Sequence, residues 1–247
     1  IMARIDEILA TGGLKDELKM SQASKTKQLD IKNLLRVTGI GPAKANKLYS
    51  EGITLEKLLK ETSQGQTPET SQVLGNLTHH QYLGVKYFHD VEKRIPRAEI
   101  DKINKYLQKN IPKSDYIDDI VICGSYRRGC MTSGDIDLLI NYEDIDDEDD
   151  SLYTIIKHLE HKGFLIDHLT EKGRTKYMGF CRLKQNLPAR RIDIRLIPSE
   201  SFPAALLYFT GSGQFNRDMR TYALKKGFTL NEYGLFKVKT IKGKQIE

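Results

Sequence analysis

Apolar residues recur three and four apart through the first hundred positions, and then every second residue or in short unbroken runs. The first spacing predicts helices and the second strands. Ile1, Ile5, Ile8 and Leu9 mark a helix within residues 1–19 that Gly12-Gly13 ends, and the polar stretch 20–30 reads as a linker. The segment that follows predicts a helix ending near Arg36, a turn from Val37 to Pro42, and a second helix from Ala43 to about Ser50. Ile53, Leu55, Leu58 and Leu59 mark a third helix. Residues 62–76 are loop-like, and 77–95 form one amphipathic helix with Leu83, Tyr87, Val91 and Ile95 on a stripe. His79 and His80, beside Thr78, stand at that helix's entrance and do not read as metal ligands. Pro96 opens the next helix.

Strand spacing then takes over. Val121 and Ile122 end a buried strand, a Gly-rich basic turn follows, and a second strand carries Asp135 and Asp137 among Ile136, Leu138, Leu139 and Ile140. Residues 151–162 predict a helix, and 164–183 a strand, a basic turn from Glu171 to Lys176, and a returning strand. Residues 189–198 form a third strand, with Ile192, Ile194 and Leu196 on one face and Arg191, Asp193 and Arg195 on the other. A helix into Tyr208–Ser212, a helix from about Gln214 to Lys226 and a short hairpin close the pattern.

With 247 residues the chain can bury a sizeable core in one large or several small domains. No apolar run approaches the roughly 20 residues that span a bilayer. Cys123, Cys130 and Cys181 lack metal-ligand spacing, which fits reduced thiols. The net charge of +6 is compatible with a polyanionic partner, and it is patterned. Residues 174–197 hold seven Lys/Arg against Asp193 alone, and residues 213–247 hold eight against three acids. The acids gather in residues 143–150, a solvated loop.

The chemistry concentrates in VICGSYRRGCMTSGDIDLLI, residues 121–140. Two aspartates two apart on a strand point the same way, and among apolar neighbours they need a counter-charge or a metal. Hard cations such as Mg²⁺ are held by a few carboxylates plus substrate phosphates. Gly124, Ser125 and Arg128 offer amide, hydroxyl and guanidinium groups to a polyphosphate. Asp193 supplies a third carboxylate, and Arg195 is the charge expected to hold one carboxylate when no metal is bound. Earlier in the chain, the Gly39-Ile40-Gly41 turn exposes amides at a helix N-terminus. Such a helix-hairpin-helix turn grips a nucleic-acid backbone without reading sequence.

LLRVTGIGPAKA, HHQYLGVKYFHDVEKRIPR, CGSYRRGCMTSGDIDLLI, RRIDIRLIP and LYFTGSGQFNRDMRTYALKKGFTLNEY, in this order, resemble the family X DNA polymerases, and within them the β-type. The likeness runs from about residue 30 to 235. It implies an α+β fold: a nucleotidyltransferase-type palm with a mixed or antiparallel sheet at 96–199, preceded by a helix-hairpin-helix, thumb-like domain at 30–95. A nucleotide-binding closing subdomain would follow at 200–247, with a remnant of an N-terminal helical lyase domain and linker at 1–29. The resemblance assigns Asp135, Asp137 and Asp193 to two catalytic Mg²⁺, with Mn²⁺ as a substitute. It assigns Arg94, Ser125, Arg128, Ser133 and Gly134 to the triphosphate, and Tyr208, Phe209, Gly211 and Asn216 to the sugar and base of the incoming nucleotide. Gly39, Gly41, Ala43, Lys44, Lys176, Arg191 and Arg220 would meet DNA. The carbonyls of Leu35, Val37 and Ile40 would hold Na⁺ or K⁺.

The implied activity is template-directed addition of a dNTP to a primer 3′-end in gapped or primer-template DNA, by a nuclear monomer working with base excision repair proteins away from any membrane. The pattern also departs from the family. Arg4 stands where a Schiff-base lysine is expected, so lyase activity is expected to be absent. Gly213 replaces an aspartate that packs on the nucleotide, and the family continues past Tyr233 with a further helical segment. A template-independent nucleotidyltransferase and a catalytically impaired DNA-binding remnant are the rival expectations.

Overall fold

A computed structural model describes residues 22–112, 116–143, 151–170, 173–241 and 244–246, together with Ile5, Leu9 and Ala10. Arg4, the glycine pair at 12–13 and the acidic stretch 144–150 lie outside the described residues. The chain divides into two compact units, Ile1–Phe88 and His89–Glu247.

In the first unit α1 (Gln22–Leu34) covers most of the stretch read as a linker. That stretch is polar but free of Gly and Pro, and its Lys, Gln and Ala residues are strong helix formers. Leu34 at its end is fully buried, and Ile31 packs beside it. The predicted turn follows, then α2 (Pro42–Ser50) and α3 (Leu55–Ser63), with Ala45, Leu48, Leu55 and Leu58 turned into one core. Thr54 caps α3, accepting from the Lys57 amide. In the loop after α3, Leu74–Asn76 make one 3₁₀ turn.

Helix α4 (His79–Lys86) opens on a reciprocal box. Thr78 accepts from the Gln81 amide while the Gln81 side chain accepts from the Thr78 amide. His79 and His80 therefore do stand at a helix entrance. The single amphipathic helix expected over 77–95 breaks at Tyr87, and α5 (Phe88–Val91) is one further turn. The segment serves two cores, because Leu77, Val85 and Phe88, off the expected stripe, belong to the first unit's cluster and Ile95 to the second's.

The second unit is built on a five-stranded mixed sheet in the order β2–β4–β7–β6–β5: β2 (Ile117–Ile122), β4 (Ile136–Tyr142), β5 (Leu165–His168), β6 (Lys176–Cys181) and β7 (Arg190–Pro198). Only β4 and β7 run parallel. Ile136, Leu138 and Ile140 share a buried face with Ile192, Ile194 and Leu196. They cluster with Ile100, Ile103 and Leu107 of α6 (Arg97–Asn110) and Leu152, Ile155 and Leu159 of α8 (Ser151–His161). The opposite face is covered over only part of its length, where Leu139 and Ile197 meet Phe202 and Ala205 of α9 (Phe202–Thr210). Asp137 and Asp193 lie on that second face by strand alternation.

Arg190 anchors the start of β7. Its Nε and Nη2 donate to the two carboxylate oxygens of Glu99 on α6, at 2.7 and 2.8 Å, and its Nη1 donates to the Lys93 carbonyl. Beyond α9 come α10 (Gly213–Lys225) and the hairpin of β8 (Phe228–Leu230) and β9 (Leu235–Lys237), then a second hairpin of β10 (Lys239–Ile241) and β11 (Lys244–Ile246). Among the described residues no helix is long and apolar enough to cross a membrane.

Candidate active site

The parallel pairing of β4 with β7 sets Asp137 directly opposite Asp193. Asp135 lies in the bend one residue before β4 begins, so it adjoins the strand on which the sequence placed it. Burial pushes the Asp137 carboxyl up to about 7, with the charges of Asp135 and Asp193 adding and those of Arg191 and Arg195 opposing. Asp135 is raised as well, again mainly by burial, although its residue surface stays in contact with solvent. The charge that holds a carboxylate is Arg191, not Arg195. Arg191 Nη2 donates to Asp193 Oδ1 at 2.8 Å, whereas Arg195 lies over the Phe209 ring at 5.2 Å. Strand alternation puts both arginines on the aspartate face, and which of them turns inward depends on α9, which supplies Phe209.

The basic turn forms a short helix, α7 (Gly124–Arg127), seated on the end of β4. The Cys123 amide donates to the Asp137 carbonyl at 2.7 Å. Gly124 has φ +58, and a Cβ there would stand 2.4 Å from Asp137 Oδ2. A side chain at 124 would therefore displace the carboxylate, so glycine is required by both conformation and space. Burial pushes the Cys123 thiol up to about 12.

Ser125 and Ser133 are hydrogen-bonded through their hydroxyls at 2.8 Å. Ser133 lies on β3 (Thr132–Ser133), which pairs with β1 (Ile95–Pro96). Arg94 reaches over that pair. Its Nε donates to Thr132 Oγ1 and its Nη2 to the Thr132 carbonyl, and its Nη1 lies 3.6 Å from where a Gly134 Cβ would be. The structure thus groups Arg94, Ser125, Ser133 and Gly134.

Arg128 turns instead to the end of α9, where Nη1 donates to the Thr210 carbonyl at 2.6 Å, and Arg127 Nη1 donates to Thr210 Oγ1 at 3.0 Å. Tyr208 and Phe209 sit in the last turn of α9, and the Gly211–Ser212 peptide that leaves it is cis. Asn216 Nδ2 donates to the Tyr208 carbonyl at 2.7 Å. A shallow pocket beside them is lined by Tyr208, Phe215, Asn216, Met219, Arg220 and Asn231, among others. Gly213 is exposed at the start of α10, and Lys176 is exposed at the start of β6.

In the first unit the predicted turn presents Gly39, Gly41 and Ala43 to solvent over the buried Val37 and Ile40, with Leu35 half-exposed. Its shape is held from α4, whose Gln81 Nε2 donates to the Gly39 carbonyl at 3.0 Å. The Val37 carbonyl already accepts from the Ile40 amide, and Lys44 Nζ donates to the Asn76 carbonyl.

Three family models cover most of the chain. That of the DNA polymerase beta palm matches residues 94–199, that of the DNA polymerase beta thumb 205–247, and that of the fingers domain of DNA polymerase lambda 32–92. The chain belongs to the family X DNA polymerases. It is 34% identical over 242 residues to DNA polymerase lambda of Arabidopsis thaliana, covering 94% of this chain and 43% of the relative. It is 33% identical over 237 residues to DNA polymerase lambda of Rattus norvegicus, covering 94% and 39%. The chain therefore spans less than half the length of these relatives. The family models name the 32–92 region fingers and the 205–247 region thumb, where the sequence reading used thumb-like for 30–95.

Family X polymerases are metal-dependent, and the donor set here has the right chemistry. Burial raises Asp137 most, the charges of Asp135 and Asp193 add to it, and a hard divalent cation would offset both. The strands bring the three residues together, but their carboxylates are not gathered. Among the described residues no group of three His, Cys, Asp or Glu stands close enough to hold a metal, and Asp193 Oδ1 is engaged by Arg191. The sequence reading did not single out Thr132 and Thr210, which receive the arginines. Both are small polar residues whose partners come from 38 and 82 positions away, so no local pattern marks them.

Proposed function

We propose that the chain adds deoxynucleotides to a primer 3′-end under the direction of a template, as a short-gap filling enzyme of base excision repair. The register of Asp137 against Asp193 beside the Gly124–Arg128 turn is the observation that carries this reading. Asp135 and Asp137 hold the triphosphate side of the site, and Asp193 the primer side, where it accepts the proton of the 3′-hydroxyl. Two Mg²⁺, or Mn²⁺, bound among the three carboxylates would acidify that hydroxyl and neutralise charge on the leaving group. Arg94, Ser125, Ser133, Gly134 and Arg128 orient the triphosphate for in-line attack. The new bond joins the 3′-oxygen to the α-phosphorus, and pyrophosphate departs.

Tyr208, Phe209 and Gly211 set the sugar, and Asn216 faces the base edge. Arg191 must release Asp193 before the three carboxylates can act together, and it then lies free toward DNA. Lys176 and Arg220 serve the template strand. Gly39, Gly41, Ala43 and Lys44 serve the DNA backbone, with Na⁺ or K⁺ at the carbonyls of Leu35, Val37 and Ile40. A nuclear, monomeric repair enzyme fits this chemistry.

The test is single-nucleotide extension of a primer in one-nucleotide-gapped DNA with Mg²⁺, comparing the unaltered chain with Asp193→Ala. Templated extension lost in the variant supports the reading. Untemplated extension points to a template-independent transferase, and DNA binding with no extension points to an impaired remnant.

A further inference from the structure

The last turn of a helix leaves carbonyl groups without helical partners, and they must find others. At the end of α9 two carbonyls are reached by side chains, that of Tyr208 while it also accepts from the Gly211 amide at 3.2 Å. Asn216, on the base-facing helix α10, donates to the Tyr208 carbonyl, and Arg128, from the phosphate-binding turn, donates to the Thr210 carbonyl. The same threonine carries a second guanidinium, because Arg127 Nη1 donates to its hydroxyl, and that hydroxyl donates in turn to the Leu206 carbonyl at 2.5 Å. Two cations at a helix C-terminus are favoured by the helix dipole. Arg127 is exposed, so its bond to a neutral hydroxyl adds little to stability.

We infer that Arg127, acting through Thr210, is a positioning residue. It fixes the α9 terminus so that Arg128 stands ready for the triphosphate while Asn216 stands ready for the base. With Arg127 on the hydroxyl, the neighbouring Arg128 is confined to the carbonyl of the same residue. The elbow at Gly211 passes 3.2 Å from Arg128 Nη1, measured from where a Gly211 Cβ would be. Phosphate recognition and base checking are thereby joined at one residue. This inference rests on the polymerase reading above.

The experiment measures the affinity of gapped DNA–protein complexes for a dNTP analogue that cannot transfer its phosphate, alongside single-turnover insertion of matched and mismatched dNTPs and thermal melting. Arg127→Ala should weaken matched-nucleotide binding about tenfold and lower the matched-to-mismatched ratio by about the same factor, some 1.4 kcal/mol. Its melting temperature should not move. Thr210→Val should reproduce the effect, Thr210→Ser should restore near-normal values, and Arg127→Ala with Thr210→Val should be no worse than either alone. Binding and selectivity that stay within about twofold in Arg127→Ala, or losses that add in the double variant, would overturn the inference while leaving the polymerase reading intact. If the unaltered chain on gapped DNA neither binds the analogue nor inserts, the polymerase reading fails and this inference falls with it.

Discussion

Asp137→Asn should make the metal-free protein more stable at neutral and alkaline pH. An ordinary aspartate titrates near 3.8, and in the folded chain burial together with Asp135 and Asp193 moves this one to about 7. At about 1.36 kcal/mol per pH unit, that gap corresponds to about 4 kcal/mol. Local relaxation and partial solvation reduce it to about 2–4 kcal/mol. The native state holds a proton that the unfolded chain has released between those two values, so stability falls as pH rises from about 4 through 7. Asparagine cannot ionise and escapes that loss. Urea unfolding in EDTA at a series of pH values from 4 to 8 should show the two proteins nearly equal near pH 4. The variant should lead by about 2–4 kcal/mol at pH 8. Added Mg²⁺ should then stabilise the unaltered chain and leave the variant largely unmoved, since only a ligand that prefers the native state shifts the equilibrium. A variant that is no more stable at pH 8, or a difference that stays constant with pH, would refute the reasoning that burial, aided by the charges of Asp135 and Asp193, disfavours the ionised Asp137 without metal.

Gly124→Ala should place a methyl group against the Asp137 carboxylate in a backbone conformation that alanine resists, and kcat/KM for extension should fall about a hundredfold or more. Steady-state extension kinetics check this, and near-normal activity would show that the carboxylate has room to move. Glu99→Ala leaves the guanidinium of Arg190, which is 5% exposed, without its bidentate partner, and should cost about 3–5 kcal/mol by denaturant unfolding. Glu99→Leu combined with Arg190→Met should recover most of that, and a single-variant cost below about 1 kcal/mol would remove Arg190 as the anchor of β7. Thr78→Ala should lose the reciprocal cap of α4 and about 1 kcal/mol, and with it affinity for DNA if the hairpin turn depends on Gln81. DNA titration alongside melting separates those two effects.

The periodicity of the chain carried much of this architecture. Alternation over residues 190–198 separated Ile192, Ile194 and Leu196 from Asp193 before any strand was paired, and the structure keeps that division. Helix α1 was hidden for a different reason. Residues 24–29 face solvent and the helix carries almost no apolar stripe, so propensity alone marked it. The stripe through Leu83, Tyr87, Val91 and Ile95 misled in the other direction, because a helical spacing continued past the break at Tyr87, between residues packed in one core and Ile95 in the other. Periodicity reports that a face is buried, and it is silent on which core buries it.

The site was legible as far as residue type and strand register could reach. Asp-x-Asp ahead of an apolar strand and a lone aspartate among arginines on another are local signals, and pairing β4 with β7 makes them neighbours. What local signals cannot give is the partner of each arginine. Arg191, Arg195, Arg127 and Arg128 are all basic residues near the same acids, yet they go to Asp193, the Phe209 ring, the Thr210 hydroxyl and the Thr210 carbonyl. Three of those four acceptors sit on the last turn of α9, in a separate element from every aspartate of the site. The helix that covers part of the aspartate face therefore decides which arginines are held away from direct contact with it. Among the described residues Arg191 alone makes a direct ion pair with one of the three carboxylates, while Arg94 and Arg195 act on Asp135 and Asp137 through their charge. A divalent cation would add the direct counter-charge that the donor set favours.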